Sequence, residues 1–248
     1  ALAKSSRGLN MITLYTGTPG AGKSYHAIQL ILRCLGWGRL VIANFPIKFT
    51  KREIKKGYDK RFFYWPNEEI NIENLIIFAL ENGMIEKAKE SQCLVVIDEA
   101  GGRFNCRDFA KSDRRNWIDF FSQHRKVGYD FLLVAQNDRM IDRQIRGYIE
   151  TEKKHRKANN FGPFAFLPFT MFVSVEYWYT AKQRVGAEFF IFRKKIADRY
   201  DSMRMFSGFT ISPELIAKIE ARRKGIAEEI PEGCQESIDV IYIEDEGT

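Results

Sequence analysis

A complete phosphate-binding loop lies near the amino terminus of this 248-residue chain. Residues 17–24 read Gly-Thr-Pro-Gly-Ala-Gly-Lys-Ser and satisfy the pattern G-x-x-x-x-G-K-S/T. Glycines allow such a loop to curl so that successive backbone N–H groups point at phosphate oxygens, and the following helix adds the positive end of its dipole. We therefore expect Lys23 to neutralise the β- and γ-phosphates of a nucleoside triphosphate and the Ser24 hydroxyl to bind Mg²⁺.

The residues expected to contact the nucleotide are those of the loop and the next one along the chain. They are Gly17, Thr18, Pro19, Gly20, Ala21, Gly22, Lys23, Ser24 and Tyr25. A glycine-rich turn that merely joins a strand to a helix is the alternative. The flanking sequence disfavours this alternative, because residues 11–16 are an apolar, β-favouring run and residues 23–35 carry apolar residues at helical spacing.

Two acidic residues, Asp98 and Glu99, directly follow the apolar run of residues 94–97. Such a run predicts a buried strand, and a carboxylate that emerges at its carboxyl end can hold Mg²⁺ through water. We expect Asp98 to have that role and Glu99 to polarise the water that attacks the γ-phosphate. A buried strand that ends in two exposed acids is the alternative, and the phosphate loop in the same chain disfavours it.

Gln136 and three arginines are further catalytic candidates. Gln136 ends the apolar run of residues 131–135, where a side-chain amide can sense the γ-phosphate or orient water, although a polar residue at a strand end is also ordinary. An arginine acting in trans would stabilise the charge of the transferring phosphoryl group. Arg125 is the first candidate for that arginine, with Arg143 and Arg146 behind it. A solvated surface arginine remains the alternative for all three.

The elements that must position these residues alternate along the chain. Strands that alternate with helices imply a mainly parallel sheet flanked by helices, so we expect an α/β fold. Residues 48–61 are basic and are expected to be irregular. The predicted strands cover residues 11–16, 40–45, 93–97 and 131–135, and the predicted helices cover residues 23–35, 69–79, 115–126 and 138–149.

The sequence changes in character after residue 161. Two aromatic, β-favouring segments, residues 171–180 and 188–193, flank a polar stretch and predict an antiparallel hairpin. Ser212 followed by Pro213 predicts the start of one more helix. We expect four parts: a leader or added remnant at residues 1–10, a P-loop ATPase core at 11–160, a β appendage packed on that core at 161–206, and a helix with an acidic tail at 207–248.

Composition limits the class of protein. A hydrophobic content of 45% provides for one good-sized core and excludes disorder throughout. The four cysteines lie far apart without a Cys-x-x-Cys pair, so we expect free thiols in a reducing cytosol. The longest stretch without charge, residues 159–175, contains two prolines and a glycine and makes a poor membrane-spanning helix.

The net charge of +7 makes association with nucleic acid or an anionic membrane surface easy without identifying either partner. Basic clusters occur at residues 51–60, 153–157 and 193–195. Aromatic neighbours of the first cluster, Tyr58, Phe62 and Phe63, could stack on bases. A solvated surface is the alternative for each cluster.

The order of these motifs resembles the zonula occludens toxin (Zot) family over residues 11–206. After the phosphate loop come Ile97-Asp98-Glu99-Ala100, His124-Arg125 with Gly128-Tyr129-Asp130, Gln136, Asp142 with Ile145-Arg146, and Tyr200-Asp201-Ser202. The resemblance implies a RecA-like P-loop NTPase core, similar to the DNA-pumping motors of the FtsK and HerA group, with ATP and Mg²⁺ as cofactors. Phage members of the family are assembly ATPases that drive extrusion of single-stranded DNA virions.

The resemblance also implies partners and a place in the cell. We expect a homo-oligomeric ring, such as a hexamer, that works on single-stranded DNA or a phage nucleoprotein. The domain would be cytoplasmic, and it would reach the inner membrane only through parts that this chain lacks. Nothing in the sequence supports a toxin activity.

The sequence departs from the family at Gly101-Gly102, where many relatives carry a bulky aromatic or polar residue, which loosens the loop beside Glu99. Two other functions stay open. A P-loop phosphotransferase shares the loop but needs an acceptor pocket, and the pairing of Glu99 with Gln136 favours water as the acceptor. A nucleotide-gated binding module would bind the nucleotide tightly with little turnover.

Overall fold

Eight strands form one sheet in the computed structural model, which describes residues 12–87, 89–105, 111–160 and 168–200. The strands are β1 (Ile12–Thr16), β2 (Leu40–Ala43), β3 (Phe62–Tyr64), β4 (Cys93–Ile97), β5 (Tyr129–Val134), β6 (Ile149–Lys157), β7 (Met171–Trp178) and β8 (Arg184–Ile191). Their order is β3-β2-β4-β5-β1-β6-β7-β8. Strands β1 to β6 are parallel, and β7 and β8 are added antiparallel. The expected α/β fold with a C-terminal hairpin is confirmed.

Helices cover both faces of the parallel part. They are α1 (Lys23–Gly36), α2 (Lys51–Lys55), α3 (Ile72–Glu81), α4 (Ala100–Arg103), α5 (Lys111–Gln123), α6 (Arg143–Arg146) and α7 (Lys194–Ala197). Alternate residues of β4 belong to different hydrophobic clusters: Val95 packs in the cluster that includes α3 and α5, and Val96 packs in the cluster that includes α1. Strands buried on both faces explain why β1, β4 and β5 are nearly continuous apolar runs.

The helix predicted over residues 138–149 is wrong. The structure has a 3₁₀ turn at Asp138–Met140, the single turn of α6, and then β6 from Ile149. Ile141 is extended at ψ 141°, and the Asp142 side chain accepts from the backbone N–H of Gln144 to start α6 anew. The isoleucines at intervals of four are all buried. They belong to three successive elements, a 3₁₀ turn, a helical turn and a strand. Their regular spacing therefore resembles a helical period without a helix.

Smaller differences have local causes. The basic segment expected to be irregular contains α2, because Thr50 and Glu53 form a reciprocal capping box at its start. Helix α3 begins later than predicted because Asn71 caps it, accepting from the backbone N–H of Asn74 at 2.8 Å. Cys34 and Cys93 are free and buried, as expected.

The hairpin continues the core sheet, since β7 pairs with β6 from Thr151↔Trp178 to Lys157↔Phe172. The division into a core and an appendage remains a prediction. The helix predicted after Ser212, the acidic tail, Cys106 and Cys234 lie outside the described residues. Among the described helices, none is long and apolar enough to cross a membrane.

Candidate nucleotide-binding site

The carboxyl ends of the parallel strands bring the predicted site residues to one edge of the sheet. The phosphate loop follows β1, Asp98 follows β4, and Gln136 lies two residues beyond the end of β5. Strand β5 lies between β1 and β4. Gln136 is therefore placed between the phosphate loop and the two acidic residues, and its backbone carbonyl accepts from the N–H of Gly17 at 3.2 Å.

The phosphate loop is held against the strands of the extended sheet. Gly17 has φ 146°, and a Cβ there would lie 2.5 Å from the backbone oxygen of His155 on β6. Gly22 has φ 86°, and a Cβ there would lie 2.8 Å from the ring of Phe172 on β7. Only glycine fits these two positions, because the conformation and the neighbouring atoms both exclude a side chain.

Lys23 folds back over the loop. Its ammonium donates to the carbonyls of Gly17 at 2.8 Å and Thr18 at 3.1 Å. Burial lowers the pKa of Lys23, and the nearby charges of Asp98 and Glu99 oppose that shift. An ammonium held by two weakly basic carbonyls can exchange them for phosphate oxygens, which make stronger charge-assisted bonds.

Ser24 and Asp98, separated by 74 positions in sequence, meet at the sheet edge. The Ser24 hydroxyl donates to Asp98 Oδ2 at 2.8 Å, and Asp98 is 8% exposed. The hydroxyl of Tyr200 donates to the same carboxylate oxygen at 3.1 Å. A hydroxyl and a carboxylate in contact are the oxygen ligands that Mg²⁺ prefers.

The fit to Mg²⁺ depends on a phosphate-bearing ligand. Within the ranges that the structure describes, no three His, Cys, Asp or Glu side chains come together to hold a metal. Mg²⁺ commonly keeps several waters and binds through one or two protein oxygens plus substrate phosphates. Ser24 and Asp98 therefore suit an ion that is bound together with a nucleotide.

Asn44 supports Asp98 from the end of β2. Its side-chain amide donates to the Asp98 carbonyl and accepts from the Asp98 N–H, each at 2.8 Å. The same amide donates to the side chain of Asn67 at 2.8 Å. Sequence reasoning missed Asn44, which lies inside the predicted strand 40–45 but directly follows the last residue of β2 in the structure.

Glu99 is exposed and has a left-handed backbone conformation with φ 52°. Such a conformation is uncommon for a residue with a side chain and often marks a functional position. Partial burial and the charge of Asp98 raise the pKa of Glu99, and Lys23 opposes the rise. A carboxylate with a raised pKa that remains accessible to water suits a general base.

The structure explains the glycine at position 101, the first of the Gly101-Gly102 pair. A Cβ on Gly101 would lie 2.8 Å from Cβ of Met140, which belongs to the turn after Gln136. Gly102 has open space around it. The first glycine therefore allows the segment after Glu99 to contact the segment after Gln136.

A cleft of about 810 Å³ extends from the phosphate loop along β6. Its lining includes Gln136, Asp138 and the basic residues Lys154, Arg156 and Lys157. The predicted basic cluster at residues 153–157 is thus part of β6, and three of its basic residues line the cleft beside the loop, against the two acidic residues Asp138 and Glu152. This arrangement favours an anionic ligand.

Tyr25 contacts the hairpin with its side chain. Its ring stacks on Phe190 with 6.0 Å between centroids. Its hydroxyl donates to the carbonyl of Ile191 and accepts from the N–H of Arg193, each at 3.0 Å. A contact between Tyr25 and a nucleotide would therefore involve its backbone.

The arginine candidates lie in different places. Arg125 pairs with Glu150 beside the starts of β5 and β6, at the edge of the sheet opposite the phosphate loop. It cannot reach the loop of its own chain, so a catalytic role would have to be in trans. Arg146 pairs with Asp138 at 3.8 Å, and Arg143 is exposed on the same helical turn.

The buried side chains of His26 and His155 lie next to each other, a contact that the sequence analysis did not predict. His26 Nδ1 lies 2.8 Å from His155 Nε2, and His155 Nδ1 lies 2.9 Å from the carbonyl of Lys153. The carbonyl requires a proton on His155 Nδ1, so His155 Nε2 accepts from His26. Burial lowers the pKa of His155 to about 4.

The aromatic residues beside the first basic cluster are engaged in packing. Phe62 packs edge-on against Phe49, and Phe63 against Phe78. Tyr58 also packs against Phe49. The structure therefore gives no support for base stacking at Tyr58, Phe62 and Phe63.

Comparison of the sequence with models of known protein families identifies a match over most of the chain. The family model described as Zonular occludens toxin (Zot) matches residues 11–204. The Gene 1 protein of Enterobacteria phage I2-2 is 29% identical over 136 residues, covering 54% of this chain and 37% of that protein. The Gene 1 protein of Salmonella phage IKe is also 29% identical over 136 residues, with the same shares of 54% and 37%.

A crystal structure of the N-terminal domain of zonular occludens toxin from Neisseria meningitidis is similar at 19% identity and a TM-score of 0.46. The match covers 77% of this chain and 98% of that one. By contrast, the alignment with the phage proteins covers 37% of their length.

Proposed function

The chain belongs to the zonular occludens toxin (Zot) family, and from this premise we propose that it is an ATP-hydrolysing motor domain of viral assembly. The observation that carries the proposal is the 2.8 Å hydrogen bond between Ser24 and Asp98. It joins the phosphate loop to the acidic strand end, so that one site holds a phosphate cradle, a metal-binding pair and Glu99. That combination is the minimum for hydrolysis of a nucleoside triphosphate.

Each residue has a role in this proposal. The backbone N–H groups of the loop, residues 17–24, and the Lys23 ammonium hold the β- and γ-phosphates. Ser24 and Asp98 would hold Mg²⁺, which would neutralise charge on the phosphate oxygens. Gln136 orients a water and Glu99 accepts its proton as the water oxygen bonds to the γ-phosphorus and the bond to ADP breaks.

The cleft beside the loop supports a nucleotide-sized anion. Lys154, Arg156 and Lys157 line it on the side of β6, and residues 17–21 line it on the side of the loop. We propose that the triphosphate lies along the loop with ATP as the nucleotide.

The finer biological role is also a proposal. The domain would form a homo-oligomeric ring, such as a hexamer, in which an arginine of the neighbouring copy completes each site. Arg125 suits this role in one respect, because it lies away from the loop of its own chain. The ring would drive filamentous phage assembly and extrusion of single-stranded DNA at the cytoplasmic face of the inner membrane.

The test is phosphate release by the full chain with ATP, Mg²⁺ and single-stranded DNA. Lys23→Ala and Glu99→Gln should each lower turnover at least about a hundredfold, the usual contribution of a catalytic base or a phosphate-binding charge. Lys60→Ala and Glu73→Gln, on exposed positions away from the site, serve as matched controls.

Other outcomes identify the alternatives. Phosphate transferred to a metabolite faster than to water would make the chain a phosphotransferase. Tight binding of labelled ATP without phosphate release would make it a nucleotide-gated binding module. Equal turnover in the wild type and both site variants would refute the roles given to Lys23 and Glu99.

A further inference from the structure

Tyr200 reaches the candidate metal site from a segment that follows the hairpin. Its hydroxyl donates to Asp98 Oδ2 at 3.1 Å. Its ring packs edge-on against Phe45 with 4.8 Å between centroids, beside the carboxyl end of β2. The tyrosine and the aspartate are 102 positions apart in sequence.

The Asp98 carboxylate is fixed at both oxygens. Oδ1 accepts from the N–H of Glu99 at 3.0 Å, and Oδ2 accepts from Ser24 and from Tyr200. The proposed function gives the Ser24 hydroxyl a second task, because it must turn a lone pair toward Mg²⁺. Tyr200 has no such second role in that function, and its hydroxyl serves to hold Oδ2 in place.

The segment that carries Tyr200 is docked at a second point. Arg199 donates to both carboxylate oxygens of Glu53 at 2.8 Å each. The Arg199 carbonyl accepts from the N–H of Lys48 at 3.1 Å. Both bonds come from the Nη1 atom of Arg199, and hydrogen bonds between charged groups are stronger than those between neutral groups. Glu53 lies on α2, so this contact is separate from the nucleotide site.

We propose that Tyr200 is a positioning residue for Asp98: it holds the carboxylate in the orientation that binds Mg²⁺ together with the nucleotide. This inference rests on the proposed function, because it concerns the same metal-binding pair. The residues after the hairpin are thus part of the nucleotide site, and the site is complete only while this segment is docked.

The test measures how much Mg²⁺ strengthens nucleotide binding, using the full chain and a non-hydrolysable ATP analogue. Tyr200→Phe keeps the ring against Phe45 and deletes only the hydroxyl. The strengthening by Mg²⁺ should fall about tenfold, as expected for loss of a hydrogen bond to a charged acceptor, while affinity without Mg²⁺ stays unchanged. Tyr148→Phe deletes the same atom at the opposite edge of the sheet and should change neither value.

Arg199→Met tests the docked segment without touching the site. It should reduce the strengthening by Mg²⁺ in the same direction as Tyr200→Phe, whereas a tyrosine that only packs would leave the value unchanged in both variants. An unchanged value in folded Tyr200→Phe overturns the inference and leaves the proposed function intact.

Failure of the proposed function has its own signatures. If the wild type binds the analogue with Mg²⁺ but never hydrolyses ATP, the hydrolysis proposal fails and the inference is still decided by the Mg²⁺ effect. If Mg²⁺ does not strengthen binding to the wild type, both the metal role of Asp98 and the inference are refuted.

Discussion

His26 Nε2 lies 3.5 Å from Glu188 Oε2, yet the two side chains do not form an ion pair at neutral pH. Burial is the main reason that the pKa of His26 lies well below its ordinary value, and the neighbouring His155 and Lys153 lower it further. Glu188 is balanced instead by Lys153 at 3.8 Å and Arg33 at 3.9 Å. Helix α1, which follows the phosphate loop, therefore contacts β8 through a neutral imidazole whose ring packs on Phe190, with 4.7 Å between centroids.

The first prediction concerns acid stability. His155 has its pKa lowered to about 4 from 6.5, so the unfolded chain takes up a proton that the folded chain refuses between these values. The free energy of unfolding should therefore fall as pH drops below about 6.5, by up to about 1.4 kcal/mol per pH unit for each such histidine. Urea unfolding at pH 7, 6 and 5 measures the slope. His155→Gln should flatten it, and an equal slope in the variant would contradict this.

Glycine at position 17 should be indispensable to both the fold and nucleotide binding. In Gly17→Ala the new methyl group meets the backbone oxygen of His155, which cannot rotate away. We expect a loss of several kcal/mol of stability, since both strain and overpacking contribute. Gly20→Ala has a positive φ of 71° but open space, so it should cost only about 1 kcal/mol. Similar melting temperatures for the two variants would refute the role of β6 behind the loop.

The contact between Gly101 and Met140 should affect turnover. Gly101→Ala forces apart the segments that follow Glu99 and Gln136, so phosphate release should fall at least about tenfold through misplacement of these side chains. Gly102→Ala, where nothing lies within 4 Å, should retain the wild-type rate. The double variant Gly101→Ala with Met140→Gly removes the clash and should recover activity. A rate in Gly101→Ala equal to that of Gly102→Ala would show that the close approach is irrelevant to catalysis.

Tyr25 should stabilise the fold rather than contribute its ring to the nucleotide. Tyr25→Phe removes hydrogen bonds to the backbone of Ile191, the last residue of β8, and of Arg193, which should lower the free energy of unfolding by about 1 to 3 kcal/mol. The affinity for a non-hydrolysable ATP analogue at a temperature where the variant is folded should match the wild type. A large loss of affinity without a loss of stability would instead assign the hydroxyl to the nucleotide.

Sequence reasoning found the candidate site residues because they lie in short continuous motifs. The strand Cys93–Ile97 has the predicted bounds, and an apolar run followed by acids can be recognised without its neighbours. The hairpin was also predicted, since its two segments are adjacent in the chain. Each of these motifs can be recognised from the residues of one short segment, without knowledge of the rest of the fold.

The contacts that hold the motifs together could not be predicted in this way. Asn44 with Asp98, His26 with His155, and Tyr200 with Asp98 join elements that only the strand order brings together. The isoleucines at 141, 145 and 149 show the converse problem. Their spacing indicated a helix, but burial against the sheet was the property that they had in common.

Hydrogen-bonded pairing is continuous from β1, which precedes the phosphate loop, through β6 to the hairpin. Strand β6 pairs with β1 on one side and with β7 on the other, and its backbone at His155 directly backs Gly17. A force applied to the hairpin along the strands would act on many hydrogen bonds between strands at the same time. We therefore expect a force on the hairpin to be transmitted to the phosphate loop through the hydrogen bonds of one continuous sheet of paired strands.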